Sequence, residues 1–201
     1  MNFQHAHANG PTMLFFAAYK NYESVAQVLL HKGADPNVGN HLLQAPIHPA
    51  SHQGFSNIVH LLLEYGADPN AKNIHGYTPL IFAVAGGCYN STKLLIEHKA
   101  DVNDSNFLGN VPLHYNTGSN GGSIRILKLL LENGASLNIK DQHGYTVLHQ
   151  AVFRDLFEHV IVLLQNGASL NAKDQYKRTP IEKSLTRKQM AVFKIMMAYS
   201  S

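Results

Sequence analysis

The chain contains a single cysteine, Cys88, so it cannot form a disulfide bond within itself. One thiol is compatible with a reducing compartment. The sequence begins MNFQHAHANG, which has neither a basic region nor a long apolar run, and we expect no secretory signal peptide. No stretch approaches the roughly 18 apolar residues that a membrane-spanning helix needs. We therefore expect a soluble, cytoplasmic protein with no membrane partner.

Charged residues are also scarce. Asp, Glu, Lys and Arg make up 14% of the 201 residues, below the roughly 25% that is typical of soluble domains. Polarity comes instead from Asn, Gln, Ser and 13 histidines. The formal net charge of +3 is spread along the chain and is too small to indicate nucleic acid as a partner. The 13 acidic residues are scattered, so no acid–base pair can be nominated.

The dominant feature of the sequence is an internal repeat of about 33 residues. Segments such as LLHKGADPN and LLLEYGADPN recur five times, and their final asparagines are separated by 33, 33, 35 and 33 residues. Tetrapeptides such as TPLI and VPLH recur six times, with steps of 33, 33, 33, 35 and 33. Two independent motifs thus share one period and one two-residue insertion. The asparagines are Asn37, Asn70, Asn103, Asn138 and Asn171, and the tetrapeptides begin at Thr12, Ala45, Thr78, Val111, Thr146 and Thr179.

These motifs resemble the ankyrin repeat, in which T-P-L-H opens a short helix and a second helix ending in L-L-L precedes G-A-D-x-N. The resemblance covers residues 10–199. It implies an all-α fold, an ankyrin-repeat α-solenoid of stacked helix-turn-helix units joined by β-hairpin-like loops. We expect a single domain over residues 1–201. Its six repeats are expected near 10–40, 41–73, 74–106, 107–141 and 142–174, with a C-terminal cap at 175–201.

The positions of the repeat also have physical roles. In the fourth repeat, apolar residues at helical spacing predict one apolar helix face. A glycine follows the second helix in four repeats, where a left-handed residue ends a helix. One helix pair cannot bury its apolar face alone, so we expect neighbouring repeats to stack and a polar cap to close the array. The apolar residues are Ile124, Leu127, Leu130 and Leu131, and the expected cap charges are Lys183, Arg187, Lys188 and Lys194.

Three repeats depart from the pattern. In the third, Ser91 and Thr92 replace an aliphatic pair and Lys99 replaces the glycine. We expect this repeat to be locally weak, because a left-handed lysine costs about 1 kcal/mol. The fourth has a Gly-rich insertion at 118–122, which predicts a flexible connector because it lacks the flanking strand and lysine of a phosphate-binding loop. In the second, Leu43 stands where glycine is expected, and the leucine pair at this tip either packs on a neighbour or belongs to a contact surface.

Catalytic and metal chemistry find little support in the sequence. Cys88 is the only candidate cysteine nucleophile, and no family signature surrounds it, so we interpret it as structural or incidental. Two histidine pairs have a spacing that metal sites use: His48 and His52 are four residues apart, and His5 and His7 are two residues apart. Neither pair has the further ligands that Zn²⁺ requires. We therefore expect no enzyme activity, no metal site and no cofactor.

The resemblance assigns three other positions a scaffold role. His48, His114 and His149 occupy the last position of the tetrapeptide, where the ankyrin imidazole bridges backbone groups of adjacent hairpins. A backbone-bridging imidazole holds the fold together and is not available for catalysis.

One modification is suggested by similarity. The stretch LIEHKADVN resembles the site that an asparaginyl hydroxylase uses on ankyrin repeats, with Asn103 as acceptor beside Leu95, Asp101 and Val102. The alternative is that an asparagine at this position simply hydrogen-bonds the turn. Both interpretations stay open.

The resemblance also implies a binding face, because ankyrin arrays bind partners in a concave groove of hairpin tips and first helices. Aromatic residues recur along these tips with little charge nearby, which favours an apolar or extended protein partner. First-helix residues extend the predicted surface. The tip residues are His41, Leu42, Ile74, His75, Tyr77, Phe107, Leu108, Asn110, Gln142, His143, Tyr145, Tyr176 and Arg178, and the first-helix residues are Phe16, Tyr19, Phe82, Tyr115 and Gln150.

We therefore expect a monomeric protein–protein interaction module that binds a partner protein and no nucleic acid. Its role is either that of an adaptor or of a host-directed bacterial effector, and the latter would place it in a host cytosol. The alternative is a small inhibitor or regulator that occludes an enzyme. Fold alone does not separate these roles, because one architecture serves unrelated partners.

Overall fold

The computed structural model of the chain describes residues 10–118, 122–186 and 190–199. These residues form twelve helices and contain no β-strand. The helices are α1 (Met13–Tyr19), α2 (Glu23–His31), α3 (Ile47–Gln53), α4 (Ser56–Glu64), α5 (Pro79–Ala85), α6 (Tyr89–Glu97), α7 (Pro112–Tyr115), α8 (Ile124–Glu132), α9 (Val147–Phe153), α10 (Phe157–Gln165), α11 (Pro180–Thr186) and α12 (Met190–Ala198).

The chain divides into two compact units, Met1–Phe107 and Leu108–Ser201, called the N-terminal and C-terminal units below. In the N-terminal unit α1, α3 and α5 pack in one row, and α2, α4 and α6 pack in a second row. In the C-terminal unit α7, α9 and α11 form one row and α8, α10 and α12 the other. The predicted helical repeat fold is confirmed. The prediction of a single domain stays a prediction.

The first helix of a repeat begins where a short polar side chain caps it. The hydroxyl of Thr12 accepts a hydrogen bond from the Phe15 amide at 3.0 Å, and Thr78 accepts one from Ile81 at 3.3 Å. Each side chain satisfies one of the amide groups that a helix start leaves unpaired. Pro79 occupies the first turn of α5, where its missing N–H costs nothing.

The apolar face predicted for α8 is present but shifted by part of a turn. Leu127 and Leu130 are fully buried, as is Ile126, whereas Ile124 and Leu131 are half-buried. Burial of one such side chain stabilises the fold by about 1.5–3 kcal/mol. Apolar spacing in the sequence located the face, and packing against α10 decided its centre.

The third repeat shows the irregularities that its sequence predicts. Ser91 and Thr92 are buried in α6, and the Thr92 hydroxyl donates to the Cys88 carbonyl at 2.8 Å. Within the described part of the chain the Ser91 hydroxyl has no hydrogen-bond partner. Lys99 has a φ of 70°, in the left-handed region that glycine occupies in the other repeats. A buried hydroxyl without a partner and a left-handed lysine both lower stability.

The insertion in the fourth repeat lies between α7 and α8, as predicted. Its residues 119–121 lie outside the described residues, so the predicted flexible connector stays a prediction. Asn116 closes the described ends of the insertion, because its side chain donates to the Ser123 carbonyl and accepts from the Ser123 amide, each at 3.2 Å. Its amide group also lies 3.3 Å from Nε2 of His159 on α10. Asn116 therefore ties the insertion to the neighbouring repeat.

The charge expected of Lys183 at the C-terminal cap is not presented to solvent. Lys183 is only 6% exposed. Its ammonium lies 3.4 Å from the ring centroid of Tyr145 and 4.8 Å from that of Phe153. The prediction of a solvated cap charge is wrong for this residue, because the aliphatic stem packs in the repeat and the ammonium is held by aromatic faces. Lys194 is exposed as predicted, and Arg187 and Lys188 lie outside the described residues.

Candidate protein-binding surfaces

Four of the hairpin tips are shaped by an Asn or Asp side chain at their start. Oδ1 of Asn73 accepts hydrogen bonds from the amides of His75 and Tyr77 at 2.9 and 3.0 Å. Oδ1 of Asp141 likewise accepts from the amides two and four residues later, at 2.8 and 2.9 Å. One buried oxygen thus closes the turn and fixes the direction of the tip side chains. Asn40 and Asp174 repeat the arrangement in the second and last repeats.

These turn-forming residues were not among the residues predicted from the sequence, although a signal was present. Asn40, Asn73, Asn106, Asp141 and Asp174 are separated by 33, 33, 35 and 33 residues, the same steps as the two landmark motifs. A short polar residue that recurs with the period of the fold predicts a structural turn.

Successive tips are joined by backbone hydrogen bonds within each unit. In the N-terminal unit the Ile74 amide donates to the Leu42 carbonyl at 3.0 Å, and the Phe107 amide donates to His75 at 3.2 Å. In the C-terminal unit Gln142 donates to Leu108 at 2.9 Å. The tips therefore form ordered rows whose spacing is set by the backbone. Leu43 stands where the repeat has glycine, and its φ of 54° is in the left-handed region that glycine favours.

The three histidines of the tetrapeptide hold these rows to the helices, as the resemblance implies. Nε2 of His114 lies 3.1 Å from the Tyr145 carbonyl, and Nε2 of His149 lies 3.2 Å from the Arg178 carbonyl. Nε2 of His48 contacts the Ala71 carbonyl at 3.0 Å. Burial lowers the pKa of all three imidazoles below the ordinary value. Burial therefore favours the neutral form of these three scaffold rings.

The predicted row of tip aromatics divides into exposed and covered rings. Phe107 and Tyr176 are 71% and 64% exposed. Tyr77 is half-buried, and its ring lies edge-on to Phe82 at 6.0 Å between centroids. Tyr145 is also half-buried, beneath the Lys183 ammonium. Phe107 and Tyr176 are therefore available as contact residues, whereas Tyr77 and Tyr145 are largely occupied by packing.

The remaining predicted tip residues differ in the same way. Ile74 and Leu108 are exposed apolar side chains, and His41, His75, Gln142 and His143 are exposed polar ones. Leu42, Asn110 and Arg178 are half-buried.

Arg178 is held inside its own tip. Its guanidinium donates to Oδ2 of Asp174 at 2.9 and 3.1 Å and lies 4.7 Å from the centroid of the Tyr176 ring. Burial raises the pKa of the Asp174 carboxyl, but hydrogen bonds from Arg178 outweigh burial and leave that pKa below its usual value. The charge of Arg178 is therefore neutralised locally and does not present a free cation to a partner.

The first helices of the N-terminal unit line an apolar groove beside the tips. One cavity of about 380 Å³ is lined by Phe16, Tyr19 and Phe82, all predicted first-helix contacts. A second cavity of about 280 Å³ is lined by Phe82, His75 and Tyr77. The two cavities share the side chains of Gln44, His52 and Phe82. The groove therefore continues from the first helices to the second and third tips.

First-helix residues of the C-terminal unit are less available. Oε1 of Gln150 accepts a hydrogen bond from the Thr117 hydroxyl at 2.9 Å, and Nε2 of Gln150 lies 3.5 Å from Oδ2 of Asp141. Tyr115 is half-buried. Among the predicted contact residues of this unit, Leu108 and Tyr176 are the ones with exposed large apolar side chains.

The cysteine and the histidine pairs considered for chemistry have structural surroundings. The Cys88 thiol donates to the His52 carbonyl at 3.3 Å, and burial raises the pKa of this thiol, which disfavours the reactive thiolate. His48 is engaged with backbone carbonyls, and Nδ1 of His52 lies 3.3 Å from the Phe82 carbonyl. His5 and His7 lie outside the described residues.

The asparagines that end the GADPN-type segments connect neighbouring turns rather than closing only their own. Oδ1 of Asn70 accepts from the Asp101 amide at 2.8 Å, and Nδ2 of Asn70 donates to the Lys99 carbonyl at 3.2 Å. Asn37 makes the equivalent bonds to the turn after α4. Asn103 is half-buried, and its own amide donates to Oδ1 of Asp101 at 2.8 Å. Hydroxylation of Asn103 stays a prediction.

Stacked helix pairs with ordered tip rows define the class of repeat scaffold proteins. The family model for ankyrin repeats, in three copies, matches residues 14–106, 47–141 and 105–174, so the chain belongs to the ankyrin-repeat family. Ankyrin repeats are generally protein–protein interaction modules, and the fold is typically a non-enzymatic scaffold. No helix among the described residues has the length and apolarity needed to cross a membrane.

Comparison with solved structures gives the same fold. The structure is similar to the ankyrin repeat domain of Bcl-3, described as a unique member of the IkappaB protein family, with a TM-score of 0.86 and 25% sequence identity. The alignment covers 96% of this chain and 88% of that one. In all, 567 chains of known structure match, so the likeness identifies the fold and does not select a partner. None of the curated proteins matches the sequence.

Proposed function

We propose that the chain is an adaptor that binds an apolar segment of a partner protein through its hairpin tips and first helices. The observation that carries this proposal is the groove of the N-terminal unit, where Phe16 and Tyr19 are 48% and 46% exposed beside Phe82. Exposed aromatic rings provide large contact areas at low conformational cost. Nearby polar groups such as Gln44 and His52 can orient the backbone of an extended peptide.

Charge supports a protein partner over a polyanion. Neither cavity of the groove has a Lys or Arg among its described lining residues, and Lys20 lies beside it, with its ammonium 5.1 Å from the Tyr19 ring centroid and 5.9 Å from that of Phe16. A groove of apolar rings with Lys20 at its side does not form the basic stripe that nucleic acids require. In the C-terminal unit, the exposed tips offer Leu108 and Tyr176 for a second, separate contact.

Selection from a displayed library of random peptides tests the proposal directly. We expect enriched peptides with apolar anchors, and we expect a Phe16→Ser/Tyr19→Ser variant to lose their binding by at least about tenfold, since each buried ring contributes at least 1–2 kcal/mol. Phe157→Ser is the matched control, because Phe157 is a similarly exposed ring on a second helix, α10. Enrichment of no apolar motif, or equal loss in the control, would contradict the groove assignment.

An adaptor, an inhibitor and an effector would use the same surfaces. Affinity purification with mass spectrometry, comparing wild type with the Phe16→Ser/Tyr19→Ser variant, identifies the partner that depends on the groove. An enzyme inhibited in the complex would favour the inhibitor, and a non-catalytic partner would favour the adaptor.

A further inference from the structure

Three possible metal ligands meet on the second helices of repeats two and three, away from the tips. His60 and Glu64 are one turn apart on α4, and His98 follows the last residue of α6. One ligand atom from each of the three side chains lies within 4.8 Å of the other two. Sequence spacing could not reveal this group, because 34 residues separate Glu64 from His98 and only the stacking of α4 on α6 brings them together.

The hydrogen bond of His98 leaves its other nitrogen free to bind a metal. Nδ1 of His98 lies 2.9 Å from the Leu94 carbonyl, and since a carbonyl can only accept, Nδ1 carries the proton. In the neutral ring, Nε2 therefore has a lone pair, and Nε2 lies 3.7 Å from Oε1 of Glu64. A backbone carbonyl on the distal nitrogen is the usual arrangement that orients a metal-binding histidine.

Nε2 of neutral His98 and the Glu64 carboxylate both offer electron pairs, and His60 does the same in the tautomer whose ring proton lies on the nitrogen away from the other two groups. The rings of His60 and His98 are 6.1 Å apart between centroids and cross at 66°, so they do not stack face to face. In that tautomer the lone pairs of two imidazole nitrogens and a carboxylate converge, and a cation between them removes their mutual repulsion. This donor set, two His and one Glu with an open fourth position, is one that Zn²⁺ accepts.

Small side-chain movements bring the geometry to that of a zinc site. Tetrahedral ligands at 2.0–2.1 Å from Zn²⁺ are roughly 3.3 Å from one another, compared with at most 4.8 Å here. His60 and Glu64 are exposed and His98 is half-buried, so rotation about side-chain bonds is enough and the core need not move.

The preceding repeat provides an internal comparison. Thirty-three residues before His60, Glu64 and His98 stand Gln27, His31 and Tyr65. There Nε2 of His31 and the Tyr65 hydroxyl are 3.1 Å apart and form a hydrogen bond, so the same geometry is completed by a proton and no cation is needed. The scaffold brings side chains together at both of these positions, and of the two, the position between repeats two and three supplies a metal-binding set.

We propose that His60, Glu64 and His98 form a surface Zn²⁺ site that links α4 to α6, with water as the fourth ligand. Bound zinc joins the irregular third repeat, with its left-handed Lys99, to the regular second repeat. Because the ligands converge only in the folded chain, zinc stabilises the native state by mass action. The site is independent of the proposed peptide groove.

Calorimetric titration of the tag-free, chelator-treated protein with ZnCl₂ tests the proposal. We expect saturable uptake of one Zn²⁺ per chain and a melting temperature that rises with ZnCl₂. His60→Ala, Glu64→Gln and His98→Ala should each weaken binding at least about tenfold and abolish most of the thermal shift, because each removes one of three protein ligands.

Two controls separate this site from other histidines of the chain. His31→Ala removes the equivalent residue of the preceding repeat, and His5→Ala/His7→Ala removes the N-terminal pair; both should bind Zn²⁺ like the wild type. Circular dichroism spectra in the presence of chelator check that each variant is folded. Absence of saturable uptake by the wild type, or unchanged affinity in His60→Ala and His98→Ala, would overturn the proposal. If the protein binds Zn²⁺ but no peptide, the zinc proposal stands and the proposed peptide groove fails.

Discussion

The imidazole of His114 bridges two parts of the C-terminal unit, since its Nε2 lies 3.1 Å from the backbone carbonyl of Tyr145. Nδ1 of the same ring accepts a hydrogen bond from the Val111 amide at 3.2 Å, so the ring proton is on Nε2 and is donated to Tyr145. A second proton on this buried ring would break the bond from Val111. The neutral imidazole is therefore the form that the fold requires, and stability becomes dependent on pH.

We predict that the free energy of unfolding falls as pH decreases below about 6.5, the ordinary histidine pKa. Burial lowers the pKa of His48, His114 and His149 in the folded chain. Below the unfolded pKa the unfolded chain binds protons that the folded chain does not, so the stabilisation is complete above that pKa and is lost toward the lowered folded values. Each such histidine contributes a slope of up to about 1.4 kcal/mol per pH unit.

Urea denaturation at pH 7.5, 6.5 and 5.5 measures this effect. We expect His114→Gln to show a shallower pH dependence than the wild type, and His75→Ala, at an exposed tip position, to keep the wild-type slope. A slope for His114→Gln equal to that of the wild type would show that this ring does not carry the pH dependence.

The Asn and Asp residues at the starts of the tips should contribute to the free energy of unfolding. Asn73→Ala is expected to destabilise the protein by about 1–3 kcal/mol, because it removes the acceptor for two amides at a buried position. Asn73→Asp is the matched substitution, since Asp141 and Asp174 perform the same role in later repeats. We expect Asp to retain most of the stability, and equal losses for Ala and Asp in thermal denaturation would contradict this role.

The third repeat can be stabilised at one position. Lys99 has a φ of 70°, and glycine at this φ avoids the steric cost of a Cβ atom. We predict that Lys99→Gly raises the free energy of unfolding by about 1 kcal/mol, whereas Lys99→Ala, which keeps the Cβ atom, gives no such gain. Chemical denaturation of the three proteins under identical conditions is the measurement. A gain for alanine equal to that for glycine would assign the effect to loss of the lysine charge.

The repeat and the helices could be predicted from the sequence because they depend on local order. A period of about 33 residues with Thr–Pro starts and Gly ends specifies helix pairs through caps and turn conformations that involve neighbours in the chain. The left-handed positions of Lys99 and Leu43 followed from their place in that period, and the bridging role of the tetrapeptide histidines followed from the resemblance to the ankyrin repeat. The turn-forming residues Asn73 and Asp141 also recur with this period, so their role could have been predicted in the same way. They were not predicted, because Asn and Asp are ordinary residues in polar loops.

The rest depended on packing between repeats, which sequence spacing does not show. Tyr77 and Phe107 occupy similar tip positions, yet Tyr77 packs on Phe82 while Phe107 remains exposed. Lys183 looks like a surface charge in the sequence, but neighbouring rings enclose it.

The sequence by itself determined that this protein is a stack of ankyrin repeats, because each repeat is specified by contacts within about 33 residues. The tertiary structure decided which side chains face solvent and which meet across repeats. His60 and His98 are 38 positions apart in the sequence, and their rings lie 6.1 Å apart between centroids only because α4 stacks on α6.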